Sequence, residues 1–326
     1  MPRGKVVIAV VSAAVVLAAT LGSGGPPAGG ADGVRYLDPV FDAVDVTSGV
    51  VYRTATDCTG ADVDLAVDIY EPAGDTATER PVYVWIHGGS FAIGSRDGAL
   101  EQVVGHDYAQ RGYVVVSISY RLCDDFSAGS MTDAYEDAKA AVAWVRANAA
   151  TYRFDADRVA VAGASAGAIT ALQVGYTPSR AAGEGTPSDP SHANAVLSMA
   201  GFWLPNVVEP GEPPTFMAHG TADPVIPFSS AEGFCTGAVA AGVPCEFHAY
   251  DAGHETLVVH LPDIEQRSFA WLYDVLGLDP SQESTTTTSS TSTSSTTTSA
   301  TSSSTTAAAV APTTAVAAPT TPRFTG

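Results

Sequence analysis

Five short apolar runs, at residues 82–86, 114–118, 159–162, 195–199 and 215–218, set the strongest limit on how this chain can fold. They are rich in β-branched residues and lack the in–out alternation of a half-exposed sheet. Such runs suit central strands covered on both faces. Helical segments separate them. In 133–150 the residues Ala138, Ala141, Val142 and Val145 follow helical spacing, and 229–241 and 263–276 also read as helices. Ahead of the first central strand, 50–55 and 62–70 read as an antiparallel pair, and 246–250 reads as a last strand. Strands alternating with crossover helices predict an α/β fold with a mostly parallel sheet flanked by helices on both sides.

The 326 residues do not all serve that core. Residues 1–31 begin with basic Arg3 and Lys5, continue as an apolar run from Val6 to Leu21, and end among small residues. That is the pattern of a secretory signal peptide, and its apolar run is short beside the ~20 residues of a membrane span. Residues 281–326 are almost wholly Ser, Thr, Ala and Pro. Such a tail has too little apolar surface to offset its chain entropy and resembles an O-glycosylated stalk. The three Asn, at positions 148, 194 and 206, lie in no N-glycosylation sequon. One large domain, 32–280, remains, long enough to bury a substantial core. A net charge of −20 argues against nucleic acid or an anionic membrane as partner, leaving contact with membrane to the signal alone. The sequence leaves the oligomeric state open. Cys58, Cys123, Cys235 and Cys245 lack paired zinc-site spacing, and in an exported chain they suggest disulfides with three possible connectivities. We favour Cys58–Cys123 and Cys235–Cys245; the second would join a helix to the strand that follows it.

The most informative segment is 158–168. A buried-strand pattern leads into Gly163, Ala164, Ser165, Ala166 and Gly167, then into a helical run over 168–174. A G-x-S-x-G match gains meaning only between a strand and a helix, where a tight, strained turn lifts the serine hydroxyl clear of the sheet. Taken alone, the same pattern also fits a glycine-rich turn that merely packs. A second feature weighs against that. The strand 82–86 runs into His87, Gly88, Gly89, Ser90 and Phe91, where glycines let backbone N–H groups face a cleft and stabilise the negative oxygen of a tetrahedral intermediate. The N–H of Ala166, which follows the serine, is the other expected donor.

Together with the run from Tyr113 to Leu122, the helix from Asp137, His219 to Pro227, and Gly253–His254, these motifs make the chain resemble the α/β-hydrolase esterases with an HGG-type oxyanion loop. That group includes carboxylesterases, the hormone-sensitive-lipase group and small feruloyl or acetyl esterases. The resemblance runs from about Leu65 to Leu276. It implies an α/β-hydrolase fold and oxyanion donors at Gly89 and Ser90. The family usually carries glycine at the Ser90 position, and often at the Ala168 position, so both are departures that bear on substrate fit.

A serine hydroxyl needs a base, and the base an orienting acid. The family's order of Ser, acid, His is met by Ser165, Asp223 and His254. Asp223 lies just past a strand end, where active-site residues of open α/β sheets collect. Asp251 is the rival acid. His219, His248 and His260 read as structural, as do Asp137 and Arg121; Trp85, Trp144 and Trp271 read as core. Phe91, Phe202 and Trp203 read either as an aromatic pocket or as packing. No metal constellation and no phosphate loop stand out, so no cofactor is inferred. The short, proline-rich 201–215 connection leaves little room for a large cap. An open cleft favours short acyl esters or esters carried on a polymer such as a polysaccharide. The alternatives are a serine peptidase or amidase on the same fold, or a non-catalytic binding module.

Overall fold

The computed structural model describes residues 33–123, 127–177, 189–202 and 208–281. The chain divides after Glu283 into two units, and every described residue belongs to the first. The expected signal segment and all of the expected tail except Ser281 lie outside the described residues, as does Trp203.

Among the described residues eight strands form a single sheet: β1 (Val44–Thr56), β2 (Asp62–Pro72), β3 (Arg80–Ile86), β4 (Val114–Ile118), β5 (Phe154–Ala164), β6 (Ala195–Met199), β7 (Thr215–Gly220) and β8 (Cys245–Tyr250). Their spatial order is β1-β2-β4-β3-β5-β6-β7-β8. β1 and β2 pair antiparallel, and β2 pairs antiparallel with β4; every later pairing is parallel. All five apolar runs of the sequence are strands. Successive residues along them serve opposite faces. Val82, Val84 and Ile86 join one core with Val114, Val116, Val159 and Val161, whereas Tyr83 and Trp85 join a second with Val115, Ala160 and Ala162. Apolar residues at every position are therefore required, because neither face meets water.

Among the described residues seven helices lie between or after the strands: α1 (Ala99–Ala109), α2 (Ala128–Ala147), α3 (Ala149–Tyr152), α4 (Ala166–Tyr176), α5 (Phe228–Ala240), α6 (Thr256–Val259) and α7 (Leu261–Val275). The first core takes Ala138, Ala141 and Val142 of α2, Ile169 and Leu172 of α4, and Ala231 and Phe234 of α5. The second takes Val104 and Tyr108 of α1 and Ile264, Phe269 and Leu272 of α7. Helices thus cover both faces. α2 starts at Ser127, whose side chain accepts from the Ser130 N–H in a capping box. Arg121 holds Asp137 of α2 through Nε at 2.8 Å and Nη2 at 3.0 Å, the architectural role expected of this pair. No helix among the described residues is long and apolar enough to cross a membrane.

Both favoured disulfides are present, Cys58–Cys123 and Cys235–Cys245. The second joins α5 to the first residue of β8.

Candidate active site

The parallel strands β3, β5, β7 and β8 all deliver loops to the same end of the sheet, and these loops carry the candidate residues. Ser165 sits between β5 and α4 at φ 53°, ψ −116°, a conformation that non-glycine residues avoid. Two hydrogen bonds hold it there: its N–H donates to the Met199 carbonyl at 2.9 Å, and its own carbonyl accepts from the Ile169 N–H at 3.0 Å. The flanking glycines are obligatory for space. A Cβ on Gly163 would lie 2.4 Å from the Gly167 carbonyl carbon, and one on Gly167 would lie 2.0 Å from the Ile86 oxygen. α4 therefore starts against the end of β3, so the serine turn and the His87 loop are packed into one another. Ala168, a departure from the family pattern, is fully buried. A Cβ on Gly201 would lie 2.5 Å from the Ala168 Cβ, so the glycine at 201 provides the room that Ala168 takes up.

His254 links the serine to the acid. Ser165 Oγ lies 2.8 Å from His254 Nε2, and His254 Nδ1 lies 2.8 Å from Asp223 Oδ2. With Nδ1–H donating to the carboxylate, Nε2 is left to accept the serine proton. The Asp223 side chain is fully buried. Its Oδ1 accepts from the N–H groups of Val225 at 2.8 Å and Ile226 at 2.9 Å. Oδ2 also faces His219 Nε2 at 3.3 Å, and that nitrogen lies 3.0 Å from the Ile226 carbonyl. The two N–H groups on Oδ1 thus hold the carboxylate with Oδ2 turned to His254. Asp251, the rival acid, is exposed. His248 pairs with Glu246 at 2.6 Å, and His260 packs on Tyr250. His219 is structural as expected through Nε2, which donates to the Ile226 carbonyl, but its Nδ1 is buried without a partner among the described residues.

The His87 loop crosses in front of Ser165. Gly89, Ser90 and Phe91 have φ of 119°, 55° and 62°. Gly89 is required twice over, since a Cβ there would also lie 2.0 Å from the Ile93 oxygen. Among the described residues, the N–H groups of Gly89 and Ser90 donate to no backbone carbonyl. The Ala166 N–H is at the first turn of α4, where backbone donors have no partner within the helix. His87 Nδ1 lies 2.7 Å from the Gly88 carbonyl, and burial holds its imidazole below the ordinary value. Tyr120 stacks on that ring at 4.4 Å and donates its hydroxyl to the His87 carbonyl at 3.0 Å. Tyr120 lies in the 113–122 run that carries the resemblance, but the sequence assigned it no role at the site, because a tyrosine just past a strand end does not show what it stacks on. Phe91 is fully buried and meets Tyr120 edge-on, so it packs and does not line a pocket. Phe202 is half-buried. Among the described residues no group of three or more His, Cys, Asp or Glu side chains is arranged to hold a metal ion.

Comparison with known proteins identifies relatives of the chain. The family BD-FAE matches residues 67–203. Esterase LipI of Mycobacterium tuberculosis is 31% identical over 238 residues, covering 57% of this chain and 71% of that protein. A probable isoprenylcysteine alpha-carbonyl methylesterase of rice is 29% identical over 235 residues; the match covers 58% of this chain but only 54% of the rice protein. Among solved structures, esterase 2 of Thermogutta terrifontis phosphorylated by paraoxon superposes with a TM-score of 0.60 at 26% identity, covering 72% of this chain and 95% of that one. The sheet order, the strained serine turn and the mycobacterial relative together place the chain in one family: it belongs to the α/β-hydrolase esterases.

Proposed function

We propose that this protein is a secreted serine carboxylic-ester hydrolase that works through an acyl-Ser165 intermediate. The observation that carries the reading is the continuous hydrogen-bonded path from Ser165 Oγ through His254 to buried Asp223, at 2.8 Å for each link. His254 Nε2 takes the Ser165 proton as Oγ attacks the ester carbonyl, and Asp223 stabilises the imidazolium. The N–H groups of Gly89, Ser90 and Ala166 receive the oxyanion. His254 then gives its proton to the departing alcohol, and the same steps with water release the acid. In support, the Thermogutta esterase that this chain resembles is phosphorylated by paraoxon, a reagent for activated nucleophiles.

The substrates we propose are short-chain esters or esters attached to a polymer. Aliphatic side chains that follow the site residues in sequence are exposed: Ile93 after the His87 loop, Val225 after Asp223, and Val258 and Val259 of α6 after His254. These suit an acyl or alkyl group, while the net charge of −20 disfavours polyanionic partners. Residues 1–31 would direct export, and the tail from 281 would act as a spacer. Two disulfides suit an oxidising compartment.

The test is turnover of p-nitrophenyl acetate, butyrate and octanoate by the wild type and by Ser165→Ala. The expected result is wild-type turnover favouring the shorter esters and a fall in kcat of at least about a thousandfold in the variant, with folding retained. A folded wild type that hydrolyses none of the three sinks the esterase reading, and undiminished turnover in the variant sinks Ser165 as nucleophile.

A further inference from the structure

We propose that the Cys58–Cys123 disulfide is a positioning clamp for the oxyanion loop, acting through residues 119–123; the inference rests on the acyl-transfer reading of Ser165. Ser90 and Phe91 both have positive φ, which a serine or phenylalanine keeps only where its surroundings impose it. The Ala92 and Ile93 N–H groups donate to the Gly89 carbonyl across these two residues, and further contacts come from one short segment. At the start of the loop, Tyr120 stacks on the His87 ring and its hydroxyl donates to the His87 carbonyl. At the other end, the Cys123 N–H donates to the Phe91 carbonyl at 2.9 Å. Beyond the loop, Arg96 Nη1 donates to Ser119 Oγ at 3.2 Å. Residues 119–123 therefore hold the His87–Phe91 stretch at both ends.

That segment is irregular and needs an anchor of its own. The Ser119 N–H donates to the Ala66 carbonyl, and Arg121 is tied to Asp137. At its end Cys123 is tied covalently to Cys58, across 65 positions of sequence. Cys58 makes a firm partner because it sits in a tight turn between β1 and β2. Within it, Asp57 Oδ1 accepts from the N–H groups of Thr59 and Ala61, and the Asp57 N–H donates to the Ala61 carbonyl. The tie thus joins a rigid hairpin tip to the residue whose N–H pins Phe91. The Cys235–Cys245 disulfide closes a short loop, with a separation of 10, between α5 and the start of β8, away from these contacts. Loss of the clamp should therefore displace oxyanion donors rather than unfold the sheet. Displacements of about 1 Å at a catalytic group cost on the order of a hundredfold in rate.

The experiment compares two variants, Cys58→Ser/Cys123→Ser and Cys235→Ser/Cys245→Ser, by kcat and KM for p-nitrophenyl butyrate, with circular dichroism as the check on folding. The clamp variant is expected to lose kcat by about tenfold to a hundredfold at nearly unchanged KM. The other variant should keep wild-type kcat. A second arm does not depend on how the clamp variant folds. In the Cys235→Ser/Cys245→Ser protein, the remaining disulfide is reduced with tris(2-carboxyethyl)phosphine, and kcat should fall, then return on reoxidation. Unchanged kcat in the reduced protein overturns the clamp, as does an effect confined to KM or an equal kcat loss in both variants. Fluorophosphonate labelling of the oxidised wild type separates the two ideas. Label on Ser165 with no effect of reduction overturns the clamp alone, whereas no label on the oxidised protein overturns the acyl-transfer reading beneath it.

Discussion

At the scale of single residues, the site stores strain in return for reach. Ser165 occupies φ 53°, ψ −116° so that its Oγ can meet His254. Conformations of this kind cost about 1–3 kcal/mol in non-glycine residues. Ser165→Gly should therefore abolish turnover and raise the unfolding free energy, by about 1 kcal/mol once glycine's greater chain entropy in the unfolded state is set against the relieved strain. Urea denaturation of the two proteins checks this, and a less stable variant would show that the turn is not strained in the way its dihedrals indicate. The Ser165 turn and the His87 loop were legible in the sequence because each has a local signature: glycines where a Cβ would strike backbone. The placement of His219 beside Asp223 was not. A histidine at a strand end shows nothing of its neighbours, and only the fold brings its Nε2 within 3.3 Å of Oδ2. The pairing of Ala168 with Gly201 was hidden for the same reason, since each residue is ordinary without the other.

At the scale of elements, the apolar runs betrayed the strands, and helical periodicity betrayed α2, α5 and α7 to within a few residues at their ends. α1 escaped. Its residues include Gly105, which weakens a helical pattern, and it starts at Gly98 without a side-chain cap. Packing explains the glycine: a Cβ at 105 would lie 2.8 Å from the Tyr70 ring of β2. α1 and α7 meet on one face of the sheet, where the hydroxyls of Tyr108 and Ser268 lie 2.6 Å apart in the buried interior. The same contact buries Glu265. Burial, with the Asp107 carboxylate beside it, pushes the Glu265 carboxyl up to about 9, while the nearby Arg111 pulls it slightly back. The folded protein therefore keeps a proton on Glu265 that the unfolded chain releases near pH 4.5. Between about pH 4.5 and pH 9 the folded state binds more protons, so this group makes stability fall as pH rises. Glu265→Gln removes that dependence. Its melting temperature should gain on the wild type steadily from pH 5 to pH 8, as thermal melts across that range can test. A gap that stays constant with pH would mean that Glu265 ionises in the folded protein at its ordinary value.

At the scale of the whole molecule, a sheet covered on both faces leaves its strand ends as the place for chemistry. β3, β5, β7 and β8 run parallel, so the His87 loop, Ser165, Asp223 and His254 come from distant parts of the chain to one end. That convergence follows from topology. The order of motifs along the sequence implied it, whereas the contact between the 119–123 segment and the oxyanion loop depended on how β4 lies beside β3. The Cys58–Cys123 disulfide adds a covalent tie next to that loop. The central claim is that Ser165 alone among the serines is an activated nucleophile. Its most direct test is labelling of the intact protein with a fluorophosphonate, followed by mass-spectrometric mapping of the adduct. The account predicts a single adduct on Ser165 that disappears in His254→Ala. An adduct on another serine, or none on a folded protein, would contradict it.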